Sequence, residues 1–315
     1  MKFLRKIMLV ALILVFGGTS VVSACEVYKY VKIAGDKKVY TKIEGYGTAN
    51  IVFISGYGDG INTYSEEGGV ETWNQVISGL PANTKKIVPD PLGLGQSDNV
   101  DNRIPLTSEQ IEAYLNFEYV SYDFDSLYSG NSIIGKTSVD RADQLYLTIK
   151  KSKDINGPVI LVAHSIGMFT AYEFALKYPD MVSGIVSVDG TFPTNIKEVS
   201  KFLESMPDVR EMYLGQFTDA AGSLNEMILS SIKIEQSQQN VLNIPLIVVH
   251  DISGENGPEL QALSDSGVDF WLDKFPSQYS KSENVNSGHY IMLNKPESVI
   301  SAIEEMLELV YPDLY

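Results

Sequence analysis

Hydrophobic and polar positions follow two regimes along this chain. Ile51-Val52-Phe53-Ile54 and Val159-Ile160-Leu161-Val162-Ala163 are unbroken apolar runs, the pattern of central strands buried on both faces. Lys86-Ile87-Val88, Gly184 to Val188 and Leu246 to Val249 read the same way. Val27 to Ile33 and Val39 to Ile43 alternate instead, which predicts an antiparallel pair at one sheet edge. Pro296 opens a last helix that carries Val299, Ile300, Ile303, Met306, Leu307 and Val310 on one face, proline standing where a helix start tolerates it. Short strands interleaved with helical patterns, without repeats or a long linker, predict one α/β domain with a mostly parallel central sheet flanked by helices.

Two stretches exceed what strand–helix connections need. Residues 98–138 contain Tyr114, Phe117, Tyr119, Tyr122, Phe124 and Tyr128, too aromatic and too long for a bare loop. Residues 191–244 form a second insertion with a helix expected over Ile196 to Met206. In a parallel sheet the ligand binds outside the carboxyl ends of the strands, so both insertions read as lid-like covers for such a site.

The N-terminus has a different pattern. Lys2, Arg5 and Lys6 precede an apolar stretch from Ile7 to Phe16, and Val22-Ser23-Ala24-Cys25 follows, the build of a secretory signal peptide over residues 1–24. Those last four residues resemble a bacterial lipobox, in which the cysteine is acylated and becomes the new N-terminus; the expectation is an exported cell-envelope lipoprotein, with plain secretion as the alternative. The domain proper is then residues 25–315.

Composition narrows the partners. The chain of 315 residues has 40 acidic against 24 basic side chains, a net charge of −16, and the first 24 residues hold three cations and no acid, so the remainder is more acidic still. Such a surface disfavours nucleic acid. One cysteine allows no internal disulfide, and with three histidines (His164, His250, His289) a structural zinc site is not expected; neither metal nor cofactor is implied.

The candidate nucleophile is Ser165. The strand Val159 to Ala163 runs into His164-Ser165-Ile166-Gly167 and then a helical run from Met168 to Lys177, which sets serine at a sharp strand-to-helix turn. A small residue two before and glycine two after relieve crowding around a strained backbone, as in a G-x-S-x-G elbow; Ala163 takes the first glycine's place.

With this elbow the chain resembles the α/β-hydrolase superfamily, in its lipase, esterase and peptidase branch, from about Ala34 to Tyr311. Ile51 to Gly58 is similar to the strand and H-G-x-G loop of that family, with Ser55 where histidine is usual, and the resemblance places an oxyanion-hole amide on Tyr57. Asp90-Pro91-Leu92-Gly93-Leu94-Gly95-Gln96-Ser97 resembles the family's glycine-rich turn and is assigned a structural part. Ser287-Gly288-His289 before Pro296 resembles its closing G-H segment.

A serine needs an imidazole to take its proton. His289 fits both chain order and family position as that base; His164 adjoins Ser165 in an elbow whose side chains diverge, and His250 ends a strand, where it lines the pocket or is a satisfied structural histidine. The backbone amides of Tyr57 and Ile166 are the expected oxyanion donors. For the acid, Asp189 at a strand end is favoured, with Asp251 and Glu255 after the later strand as alternatives. The function expected is a serine hydrolase that cleaves a carboxylic ester or related small acyl substrate through an acyl-serine intermediate. The alternatives are a catalytically silent ligand-binding lipoprotein on the same fold, and a peptidase or non-hydrolytic relative.

Overall fold

The computed structural model describes residues 26–56, 59–63, 70–100, 106–128, 135–198, 224–237, 239–254 and 258–314. Among them an eight-stranded sheet has the order β1-β2-β6-β3-β7-β8-β9-β10. Its members are β1 (Val27–Lys32), β2 (Lys38–Glu44), β3 (Ala49–Ile54), β6 (Thr84–Pro89), β7 (Val159–His164), β8 (Val182–Val188), β9 (Leu246–Asp251) and β10 (Lys281–Val285), while β4 (Asn62–Thr63) pairs with β5 (Val70–Glu71) apart from it. β1 and β2 form the expected antiparallel edge and β2 joins β6 antiparallel; from β6 to β10 every pairing is parallel.

The unbroken apolar runs follow from cover on both faces. On one face Val52, Leu161, Ile185 and Val248 pack with α4 (Ser138–Ser152), α5 (Gly167–Lys177) and α6 (Leu224–Gln236). On the other, Ile51, Phe53, Ile160, Val162, Val186 and Val249 pack with α1 (Asn74–Gly79), α8 (Ile291–Asn294) and α9 (Pro296–Val310). Every residue of β3, β7 and β9 is buried. A strand between two helix layers has no polar side to display. The proline-led α9 meets its layer through Val299, Ile303, Met306 and Leu307.

Two elements escape the periodic pattern. β10 is Lys-Ser-Glu-Asn-Val, an edge strand exposed or half-buried throughout, and α7 (Pro258–Lys274) follows the segment after β9. The aromatic-rich stretch contributes α2 (Ser108–Leu115), started by a Thr107–Gln110 capping box, and α3 (Phe124–Leu127). Tyr114 and Phe124 are buried in the core, whereas Phe117 and Tyr119 are exposed. The second insertion is helical over residues 193–198; the rest of the helix expected to Met206 lies outside the described residues. So do the signal segment, Cys25, Tyr57 and Glu255.

Candidate active site

The carboxyl ends of four neighbouring parallel strands converge on one place. β7 pairs with β8 so that His164 faces Val188, and β8 pairs with β9 so that Val188 faces Val249. The next rung therefore sets Ser165, Asp189 and His250 side by side. Backbone bonds tie the first two into it: the Ser165 N–H donates to the Val188 carbonyl (3.1 Å) and the Asp189 N–H to that of Val249 (2.8 Å).

Ser165 has φ +53° and Asp189 φ +45°, left-handed conformations uncommon for residues with a side chain. Such strain costs about 1–3 kcal/mol per residue and is held only where the surroundings fix it. At the elbow the fixing contact is close backbone approach: a Cβ on Gly167 would lie 2.8 Å from the carbonyl oxygens of Ile54 and of Ser55. Glycine thus lets the start of α5 sit against the end of β3. Ile166 caps that helix, so its amide stands at the positive end of the helix dipole. The Ser165 hydroxyl is 3.3 Å from the Thr191 hydroxyl, and the Trp271 indole N–H donates to the Thr191 carbonyl (3.1 Å), holding that neighbour in place.

His289 Nδ1 lies 2.6 Å from Asp189 Oδ2. Burial works against a charge on Asp189, but the hydrogen bonds from His250 and His289 outweigh it and hold the carboxyl well below the usual range. As an ionised carboxylate Asp189 only accepts, so His289 carries its proton on Nδ1 and presents Nε2 as the basic nitrogen. The loop bearing His289 is anchored from below. Asp251 Oδ1 accepts the N–H groups of Ser287 (3.0 Å) and Gly288 (2.8 Å), and Oδ2 accepts the Ser253 hydroxyl (2.7 Å). Asp251 is thus turned to the backbone of that loop.

The buried His164 has a part that side chains diverging at the elbow did not suggest. Its Nε2 donates to the backbone carbonyl of His289 (3.1 Å), and the two rings lie 4.6 Å apart between centroids. Its Nδ1 is 3.9 Å from Asp59 Oδ2. Complete burial, with His289 beside it adding in the same direction, pushes His164 down to about 3, so it remains a neutral donor. His250 meets Asp189 from the opposite side: Nδ1 lies 3.4 Å from Asp189 Oδ1, and Nε2 is 2.8 Å from Asp265 Oδ1.

Ser55, where the family usually has histidine, holds its loop with a hydroxyl that donates to the Gly60 carbonyl (2.9 Å) and accepts the Trp73 indole N–H (3.1 Å). In the glycine-rich turn Asp90 accepts the amides of Ile61 (2.6 Å) and Gln96 (3.0 Å), so it is a turn organiser. A cleft of about 730 Å³, open mouth included, is lined by Gly56 and Ile166 next to the elbow, by the apolar Phe169, Leu145 and Met227, and by the charged Lys136, Arg141 and Glu226. Among the described residues no group of three or more His, Cys, Asp or Glu side chains is arranged to hold a metal ion.

The strand register, together with the cross-loop bonds, brings Ser165, Asp189, His250 and His289 to one place. The bonding of His164, Asp251, Asp265 and Thr191 is the part that sequence reasoning missed. Asp265 on α7 and Thr191 in the segment after β8 reach the site through the return of their segments, which no local pattern encodes.

Comparison with known proteins follows the same lines. The profile describing the alpha/beta hydrolase fold matches residues 49–225. No curated protein sequence matches the chain. Among solved structures, a thermophilic esterase from Thermogutta terrifontis is 18% identical, with 91% of this chain and 100% of that one covered at a TM-score of 0.55. An epoxide hydrolase from Vigna radiata is 15% identical over 90% of this chain and 98% of its own, at a TM-score of 0.58. A serine hydrolase involved in carbazole degradation is 18% identical over 90% and 100%, at 0.51. At such identities the likeness is one of fold.

Proposed function

Because the chain belongs to the alpha/beta hydrolase fold family, we propose that it is a serine hydrolase that cleaves a carboxylic ester or related acyl substrate through an acyl-serine intermediate. The observation that carries this reading is the 2.6 Å bond between Asp189 and His289 beside a serine in a left-handed elbow. In the proposed cycle Ser165 Oγ attacks the acyl carbon as His289 Nε2 takes its proton. The carbonyl oxygen becomes an oxyanion held by the Ile166 amide, a donor of a kind worth about 3–4 kcal/mol in comparable sites. Collapse breaks the ester bond, and the leaving alcohol takes the proton from His289. Water then attacks the acyl-serine by the same route, releasing the acid and restoring Ser165.

Ser165 occupies the elbow, which disfavours relatives such as epoxide hydrolases that attack with a carboxylate there. Ile166, Leu145, Phe169 and Met227 in the lining of the cleft offer apolar contact to an acyl chain. As to location, the segment ending in Cys25 supports a lipid-anchored envelope enzyme, tested by whether Cys25→Ser frees the protein from the membrane fraction or blocks its maturation. The activity is tested by fluorophosphonate labelling and a panel of p-nitrophenyl esters of graded acyl length. Labelling separates an enzyme from a silent binding protein, and the panel ranks the acyl pocket.

A further inference from the structure

The triad does not end at Asp189. On the side away from His289, that carboxylate faces His250, and His250 in turn faces Asp265 on α7. Each ring nitrogen of His250 therefore points at a carboxylate oxygen, at 3.4 Å and 2.8 Å. An ionised carboxylate only accepts, and a neutral imidazole has one N–H to give. The arrangement is satisfied when His250 carries both protons. We propose that His250 is an imidazolium clamped between Asp189 and Asp265 and acts, through Asp189, as a positioning residue for the base His289.

The surroundings support a fixed cation there. His250 is buried at the end of β9, and the charged groups facing it among the described residues are Asp189 just after β8 and Asp265 from α7, with His289 beyond Asp189. Asp251, next in its own strand, is occupied with Ser287 and Gly288, and β10 sets the uncharged Asn284 at the partner position. Gln261 braces the cluster, its amide nitrogen 2.9 Å from Asp265 Oδ1 and 2.8 Å from the Asp251 carbonyl. Burial opposes the charge on His250, but the bonds to Asp189 and Asp265 outweigh it and raise its pKa.

A cation on the far oxygen of Asp189 has two effects. It keeps the carboxylate ionised and, with the Asp251 N–H that donates to Oδ1 (3.2 Å), aimed, while Oδ2 takes the His289 Nδ1–H. It also draws charge away from His289 and so tempers its basicity, leaving more of the base unprotonated at a given pH.

The inference rests on the serine-hydrolase reading, so its test has one arm that needs no activity. The chain has three histidines, so ¹³C-labelled histidine gives a readable NMR titration of the intact protein. His250, assigned by its loss in His250→Asn, is expected to remain an imidazolium at pH 7 and to lose its proton earlier in Asp265→Asn. A neutral His250 at pH 7 overturns the proposal whatever the enzyme does. In the activity arm, kcat/KM for a p-nitrophenyl ester is followed against pH. With the cation gone, His289 holds its proton more tightly, so His250→Asn should move the acid limb up by roughly half to one pH unit. Its kcat should fall about tenfold with KM within about twofold.

Asp265→Asn, a change at a half-exposed side chain that leaves the buried packing alone, removes an anion as well as weakening the cation, so it is read in the NMR arm and not by the limb. A fall in kcat with the limb unmoved in His250→Asn means that His250 is structural and contradicts the proposal. If wild type neither labels nor hydrolyses, the hydrolase reading fails while the NMR arm still decides the state of His250.

Discussion

Asp251 accepts the backbone N–H of Gly288 at 2.8 Å, one residue before His289, so the carboxylate after the later strand holds the base's loop while Asp189 holds its ring. The two acids are thereby separated in function. Asp189→Asn should fold normally and lose about 10⁴ in kcat, the size of loss seen when the acid of such a triad becomes an amide. Asp251→Asn keeps an oxygen acceptor for the loop amides and should retain most activity; Asp251→Ala loses it and should cost about 10–100-fold. Steady-state kinetics with circular dichroism as a folding control decide the matter, and a stable, active Asp189→Asn protein would move the acid elsewhere.

His164 ties stability to pH. Its ordinary value of 6.5 falls to about 3 in the fold. Between those limits the unfolded chain binds a proton that the folded chain refuses, so the contribution of this residue to stability drops as pH falls, by up to about 1.4 kcal/mol per pH unit. His250 acts with the opposite sign. Its raised pKa gives stability that is complete below the unfolded value and lost as pH rises through the folded one, so it adds no slope in this acid window. Urea unfolding across the window should show His164→Gln losing close to one proton of slope; equal slopes in both proteins would contradict the account.

Gly167 tests the geometry of the elbow. A methyl group there would press on two backbone carbonyl oxygens, which cannot swing aside as a side chain end can. Gly167→Ala should lose roughly 1–3 kcal/mol of unfolding free energy and most ester hydrolysis. An unchanged urea midpoint would show that the elbow has room to spare.

The sequence made some of these relationships legible and hid others for physical reasons. Val159 to Ala163 and Leu246 to Val249 announce themselves because burial on both faces removes every polar position. The elbow is equally visible, because Ser165 and Gly167 answer to crowding within a few residues of chain. β10 has the composition of a loop, since an edge strand has one covered face and little need of apolar side chains. The contacts of His250 with Asp189 and Asp265, and of Asp251 with Gly288, join segments brought together only by strand register and loop return. No local pattern encodes them. Asp189 could be favoured from its place at a strand end, but its second imidazole partner could not be seen there.

The proposed reaction depends on Ser165 being the nucleophile. It is tested most directly by fluorophosphonate labelling of the wild-type and Ser165→Ala proteins, with the modified peptide identified by mass spectrometry and ester hydrolysis measured on the same samples. One adduct is expected, on Ser165, together with a folded Ser165→Ala protein that neither labels nor hydrolyses beyond the residual rate left by the oxyanion donors. A Ser165→Ala protein that still labels, with hydrolysis retained, would contradict that role.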